Sequence, residues 1–152
     1  MLIKICGITR ADDARVAVAA GARAIGLVFW PDSPRFVDPY RARRIAATLP
    51  AFVTPVGVFV NQPLEYVTAV ASLVRLGAVQ LHGDEDPAYA AAVPIPVIKA
   101  LHLGNAALDA WPERVTILLD VHDPRRRGGT GAVIDWTAAA AVAAKRPPNS
   151  PK

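Results

Sequence analysis

Cys6, the only cysteine, follows Lys4 by two positions in a short apolar run at the start of the chain. At strand spacing the two side chains share a face. A thiol, with an ordinary pKa near 8.5, acts as a base or nucleophile when cations lie close, and otherwise is a small buried hydrophobe. Asp120 ends the apolar run at 116–119, where burial would keep a proton on the carboxyl, as a general acid requires. Its plainer readings are a helix cap or an ion pair with Lys99. Arg35 closes a loop stiffened by Pro31 and Pro34. Its planar guanidinium suits a carboxylate, and the bland alternative is a solvated surface arginine. Gln80 and His82 alternate across a strand end, so either orients a substrate or satisfies nearby backbone groups. Gly129, Thr130 and Gly131 follow Arg125, Arg126 and Arg127, and offer backbone amides and a hydroxyl to an oxyanion, or form a solvated loop.

These residues need a scaffold that gathers them. Short β-branched runs at 2–6, 24–29, 54–60, 78–81, 96–99 and 116–119 read as strands, each followed by a turn and then an alanine-rich stretch with helical spacing. The strand ends lie 23, 31, 21, 18 and 20 residues apart, room for one strand and one short helix per unit, which is the signature of parallel βα repeats. Helices are expected from a Thr9 or Asp12 cap to about Ala20, from Asp38 and Pro39 to about Leu49, and from before Pro63 to about Leu76. Further helices are expected from Asp84 and from Asp135 to about Ala144, with at most a turn or two between Leu103 and Trp111. In such a protein the carboxyl ends of the strands converge on one rim. That rim is expected to receive Lys4, Cys6, the 30–35 loop, Asn61, Gln80, His82, Lys99, Asp120 and His122.

Composition narrows the function further. With 53% hydrophobic and 20% charged residues, the 152-residue chain is no disordered polymer, and its length suits one domain. The start carries Lys4 and Arg10 without the pattern of a signal peptide, no apolar run is long enough to span a bilayer, and the expectation is a cytoplasmic protein with no membrane partner. A single cysteine rules out a disulfide framework and a structural thiolate zinc site, and His82 has no companions at metal spacing. The net charge of +4 comes from Arg125–127 and the last eight residues, with no interleaved aromatics, so a nucleic-acid partner is not expected. No Gly-rich nucleotide motif follows the first strand.

The segments KICGITR at 4–10, GLVFWPDSPRFV at 26–37, VGVFVNQP at 56–63, VQLHGDE at 79–85, VIKA at 97–100, LLD at 118–120 and GGTG at 128–131 together resemble the phosphoribosylanthranilate isomerases. The resemblance implies a (β/α)8 TIM barrel of tryptophan biosynthesis that works without a cofactor. Its reaction is an aldose–ketose isomerisation, the Amadori rearrangement of N-(5-phosphoribosyl)anthranilate to 1-(2-carboxyphenylamino)-1-deoxyribulose 5-phosphate. It implies Cys6 as general base, Asp120 as general acid and Arg35 as receiver of the anthranilate carboxylate, with Lys4, Gln80, His82, Gly129, Thr130 and Gly131 contacting substrate. The resemblance covers about six βα units. The expectation is therefore a partial barrel over 1–144 and an irregular, basic, proline-rich tail over 145–152, lacking the seventh and eighth units that carry the family's phosphate grip. The alternative function is that of an inactive fragment that associates with another polypeptide or another copy through uncovered barrel edges.

Overall fold

A computed structural model describes residues 2–103, 106–120, 133 and 135–145. Six strands, β1 (Lys4–Cys6), β2 (Ala24–Val28), β3 (Thr54–Phe59), β4 (Ala78–Leu81), β5 (Val97–His102) and β6 (Thr116–Asp120), pair in sequence order, every pair parallel. Among the described residues, five helices lie between or after them: α1 (Ala11–Ala19), α2 (Pro39–Ala46), α3 (Leu64–Val74), α4 (Pro87–Ala92) and α5 (Trp136–Lys145). A 3-10 stretch, Ala106–Ala110, stands between β5 and β6. The sheet is open and strongly curled, an incomplete barrel with β1 and β6 as its edges.

The helix ends show where local signals decided and where they did not. Asp38 accepts from the Arg41 amide and Asp86 from the Tyr89 amide, each followed by proline at the first helical position. The fourth helix therefore starts from Asp86 and not from Asp84, whose carboxylate and amide are bonded to the Asn61 side chain. Neither Thr9 nor Asp12 caps α1; Arg10 holds that position with no side-chain bond, and Asp12 and Asp13 lie in the first turn near the positive end of the helix dipole. Past α2, i to i+3 bonds from Thr48 and Leu49 tighten the last turn. α3 stops at Val74, two residues before the expected Leu76, because Arg75 takes a left-handed conformation (φ 60°) that turns buried Leu76 into the core. Asp135 caps α5 as expected, accepting from the amides of Thr137 and Ala138.

Strand alternation sorts the side chains into two sets. Ile25, Leu27, Phe29, Phe59, Val79, Leu81, Val97 and Leu101 point toward the helices and pack with Ala14, Ala42, Ile45, Val67 and Val70 in the main core. The opposite, concave face carries Ala24, Val56, Ala78 and Ile98 in a second small cluster. The register places Lys4, Cys6, Gly26, Gln80, His102 and Asp120 on that same concave face. Because both faces are buried, central strands read as unbroken apolar runs, and all five residues of β2 are buried.

Candidate active site

Cys6 ends β1, half-buried, directly across from Gly26 of β2. A side chain on Gly26 would lie 2.7 Å from the Cys6 Sγ, so only glycine leaves the thiol its place on the concave face. The chain then turns at Gly7 (φ +85°), whose amide and that of Ile8 both donate to the Gly26 carbonyl. Over Gly7 lies the side chain of Arg35: a Cβ there would collide with the arginine Cδ and lie 3.0 Å from its Nη1. Gly7 is therefore needed twice, for its left-handed backbone and for the close approach of the arginine. The 30–35 loop that delivers Arg35 is closed by Ser33, whose Oγ accepts from the Arg35 amide, and by a bridge from Phe36 to Val28 at the end of β2. Arg35 thus lies over the residue that follows Cys6, and its side chain is exposed.

A second group assembles on the other side of the concave face. Gln80 Nε2 lies 2.9 Å from His82 Nδ1, and His82 Nε2 lies 2.9 Å from Asp120 Oδ2. Gln80 is almost fully buried, while the side chains of His82 and Asp120 are 12% and 25% exposed. Continuing the register of Gln80 opposite Ile98 sets His82 level with Ala100, whose methyl group leaves room for the imidazole to cross β5 and reach Asp120 on β6. The amide nitrogen of Gln80 donates, so Nδ1 accepts and Nε2 carries the hydrogen donated to Asp120. Burial holds the His82 pKa below its ordinary value, partly offset by the attraction and hydrogen bond of Asp120. The ring is therefore neutral in the fold near pH 7.

That lowered value makes a pH prediction. Once unfolded, His82 takes up a proton as pH falls below about 6.5, while the folded ring resists it. Stability attached to this residue is complete above that pH and is lost as pH falls toward the folded value, with a slope of at most about 1.4 kcal/mol per pH unit from one proton. Thermal unfolding followed from pH 7.5 to 5 should show this fall, and the slope should shrink in His82→Gln; an equal slope in that variant would exclude His82 as its source.

Two residues expected on the rim are elsewhere. Lys99 shares the face of Val97 and Leu101, pointing toward the helices, because β5 continues to His102 and it is His102 that pairs with Asp120. The ion pair of Lys99 is made with Glu85, at 2.8 Å and with both side chains 3% exposed, and not with Asp120. Lys99 also donates to the Gly83 carbonyl and lies 5.5 Å over the Trp111 ring. Glu85 accepts in addition from the amides of Asn61 and Gly83, so the turns after β3 and β4 are tied together below the rim. Lys4 opens β1 instead of closing it, and so lies on the concave face one layer beneath Cys6. His122, Arg125, Arg126, Arg127, Gly129, Thr130 and Gly131 lie outside the described residues.

The sequence reading missed Glu85 as the partner of Lys99 and missed Gly7 and Gly26 as the residues that make room for Arg35 and Cys6. Strand parity offered a signal for the first, since Lys99 is odd-numbered like the core-facing Val97 and Leu101. Glycine directly after and directly opposite the cysteine offered one for the second. Among the described residues, no cluster of three His, Cys, Asp or Glu is placed to hold a metal ion, and no helix is long and apolar enough to cross a membrane.

Comparison with known proteins agrees with this architecture. The profile of the family described as N-(5'phosphoribosyl)anthranilate (PRA) isomerase matches residues 3–149. The N-(5'-phosphoribosyl)anthranilate isomerase of Geobacter metallireducens is 50% identical over 143 residues, covering 92% of this chain and 71% of that protein. Its counterpart from Geobacter sulfurreducens is 48% identical, covering 95% and 73%. The crystal structure of phosphoribosyl anthranilate isomerase from Thermotoga maritima superposes with a TM-score of 0.86 at 41% identity, covering 95% of this chain and 73% of that one. A phosphoribosyl anthranilate isomerase in complex with reduced 1-(o-carboxyphenylamino)-1-deoxyribulose 5-phosphate superposes with a TM-score of 0.75 at 46% identity, covering 81% and 66%. The chain thus spans about seven-tenths of the length of these relatives, and it belongs to the N-(5'-phosphoribosyl)anthranilate isomerase family.

Proposed function

We propose that the residues described above serve the isomerisation of N-(5-phosphoribosyl)anthranilate to 1-(2-carboxyphenylamino)-1-deoxyribulose 5-phosphate. The observation that carries this reading is the placement of a thiol and a hydrogen-bonded carboxyl on one concave face, each at the carboxyl end of its strand. Asp120 gives its proton to the ribose ring oxygen; the C1–O bond breaks as the anilino nitrogen lone pair forms the iminium. Cys6 as thiolate then takes the proton from C2, and the C–H electrons form the C1–C2 double bond while the iminium nitrogen regains its lone pair. The resulting enolamine tautomerises to the ketone, with a proton moving from the C2 hydroxyl to C1. Two groups are needed because the proton is added at one atom and removed at another. Small neighbours on the concave face, Gly26, Ala24, Ala78 and Ala100, leave space for the sugar above them.

Arg35 is the proposed partner of the anthranilate carboxylate, with Lys4 facing the same space and Gly129, Thr130 and Gly131 offering donors to an oxyanion after β6. A charge-assisted bond of this kind contributes roughly 1.5–3 kcal/mol, so Arg35→Ala should raise KM about 10- to 100-fold with a smaller change in kcat. The measurement is steady-state kinetics in a form of the chain extended by two further βα units. An unchanged KM would sink the contact.

A second reading, association with another copy, is favoured by the β1 edge. A groove of about 320 Å³ lies between β1 and α1, lined by Ile3, Ile5, Ile8, Val16 and Ala20, with Ile5 40% and Val16 70% exposed. An unpaired strand edge beside apolar surface invites pairing. Light scattering of the 152-residue chain across concentration should then show a dimer or larger species, whereas a monomer at every concentration would count against it.

A further inference from the structure

His82 has both ring nitrogens committed to protein groups, and the turn that carries it is tied down by a buried ion pair that the proposed chemistry does not touch. We infer that His82 is a positioning residue for Asp120: Gln80 determines which ring nitrogen carries the hydrogen, and the Glu85–Lys99 pair on the opposite face of the sheet holds the turn that carries the ring. The inference rests on the reading of Asp120 as the general acid.

The chain of contacts runs in three links. Gln80, buried in β4, donates from Nε2 to His82 Nδ1, and its Oε1 is buried with no hydrogen-bond partner among the described residues. His82 then donates from Nε2 to Asp120 Oδ2. Behind the ring, the next residue, Gly83, is held at its amide by Glu85 and at its carbonyl by Lys99. Glu85 reaches across to the Asn61 amide, and Asn61 is bonded in turn to Asp84 at both its side-chain atoms. The His82 amide continues the strand ladder by donating to the Phe59 carbonyl. A ring fixed at its backbone and at one nitrogen has little freedom in where it points the other nitrogen.

The consequence for the acid follows from where the hydrogens are. A carboxyl that accepts Nε2–H at Oδ2 carries its own transferable proton on Oδ1. When that O–H bond breaks and the ribose ring oxygen takes the proton, negative charge develops on the carboxylate, and the Nε2–H already aimed at it becomes a charge-assisted bond. The interaction is therefore stronger in the transition state than before it, which is the condition for accelerating the step. The arrangement runs across three hydrogen-bonded neighbours, β4, β5 and β6.

The test reads His82 directly. In the ¹⁵N-histidine-labelled 152-residue chain at pH 7.5, long-range ¹H–¹⁵N correlation, assigned by loss of signal in His82→Gln, should show a single tautomer protonated at Nε2 and bare at Nδ1. Protonation at Nδ1, or an average of both forms, would overturn the inference without any further variant. Glu85→Gln should move the ring toward the averaged pattern; unchanged ring shifts in that folded variant would remove the ion pair from the account, and unchanged shifts in Gln80→Leu would remove Gln80 from it. In the chain extended by two βα units, His82→Leu should lower kcat about 10- to 100-fold at nearly constant KM. His82→Gln, whose Nε2 can still donate to Asp120, should recover part of that loss. Full activity of Asp120→Asn with the Nε2 tautomer intact would reject the acid and leave the geometry standing; loss of activity in Asp120→Asn with His82→Leu at full kcat would reject the positioning role alone.

Discussion

Assayed by itself, the 152-residue chain is expected to convert N-(5-phosphoribosyl)anthranilate at least about 10²-fold more slowly than the same chain extended by two further βα units. The proposed base and acid lie on β1 and β6, the two edges of the curled sheet. No direct pairing sets their separation; it is the sum of five strand-to-strand steps and their twist, so a small change in curl at each step accumulates between Cys6 and Asp120. A displacement of about 1 Å in a reacting group is enough for a loss of that size. Exposed Leu118 on the concave face of β6, and the apolar groove at β1, mark the places where the described sheet has no neighbour to hold its curvature. The substrate phosphate adds a second reason, since binding energy gathered away from the reacting atoms is what holds the sugar in line. Side-by-side turnover measurements of the short and extended chains check this, and comparable rates would show that six strands hold the geometry unaided.

In the extended chain, Cys6→Ser and Asp120→Asn should each lower kcat about 10²–10⁴-fold while leaving KM within a few-fold. A serine hydroxyl is far less acidic than a thiol, so at neutral pH almost none of it is present as the conjugate base that must take the C2 proton. The exchange is otherwise close in shape, and the space across from it at Gly26 is unchanged. Asparagine at 120 can still accept from His82 Nε2 through its carbonyl oxygen, so the contact to β4 survives and only the transferable proton is removed. Product formation followed directly would show a loss in both variants. Near-normal turnover in either one removes that residue from its role, and a large rise in KM with unchanged kcat would move it from chemistry to binding.

How much of this was legible before the fold was known depends on the range of the signal. All six strands were located from apolar runs, and their boundaries differ from the observed ones mainly at ends, as where β5 continues to His102. The caps at Asp38 and Asp135 were legible because a cap is a contact over three residues. The start of α4 was not: Asp84 and Asp86 are both suitable acids ahead of Pro87, and Asn61, 23 residues away, engages one of them. The assignment of Lys99 to the rim failed because β5 runs on to His102, and alternation along it puts Lys99 on the helix face with Val97 and Leu101.

The sequence by itself determined the class of the protein: parallel βα repeats at intervals of about twenty residues, a thiol, a carboxylate and an arginine at strand ends or in the loops after them, and words specific enough to identify the family. These are properties of composition, period and local spacing. Only the tertiary structure decided which of the polar groups meet. His82 and Asp120, 38 residues apart, touch because β4, β5 and β6 lie side by side and Ala100 between them is small. Lys99 finds Glu85 because both leave the solvent on the helix face, where an unpaired charge would be costly. Arg35 lies over Gly7 because a glycine there leaves nothing in its way. Each of these contacts is set by the sheet's register and by the size of a third residue, and neither quantity is written in the spacing of the two that meet.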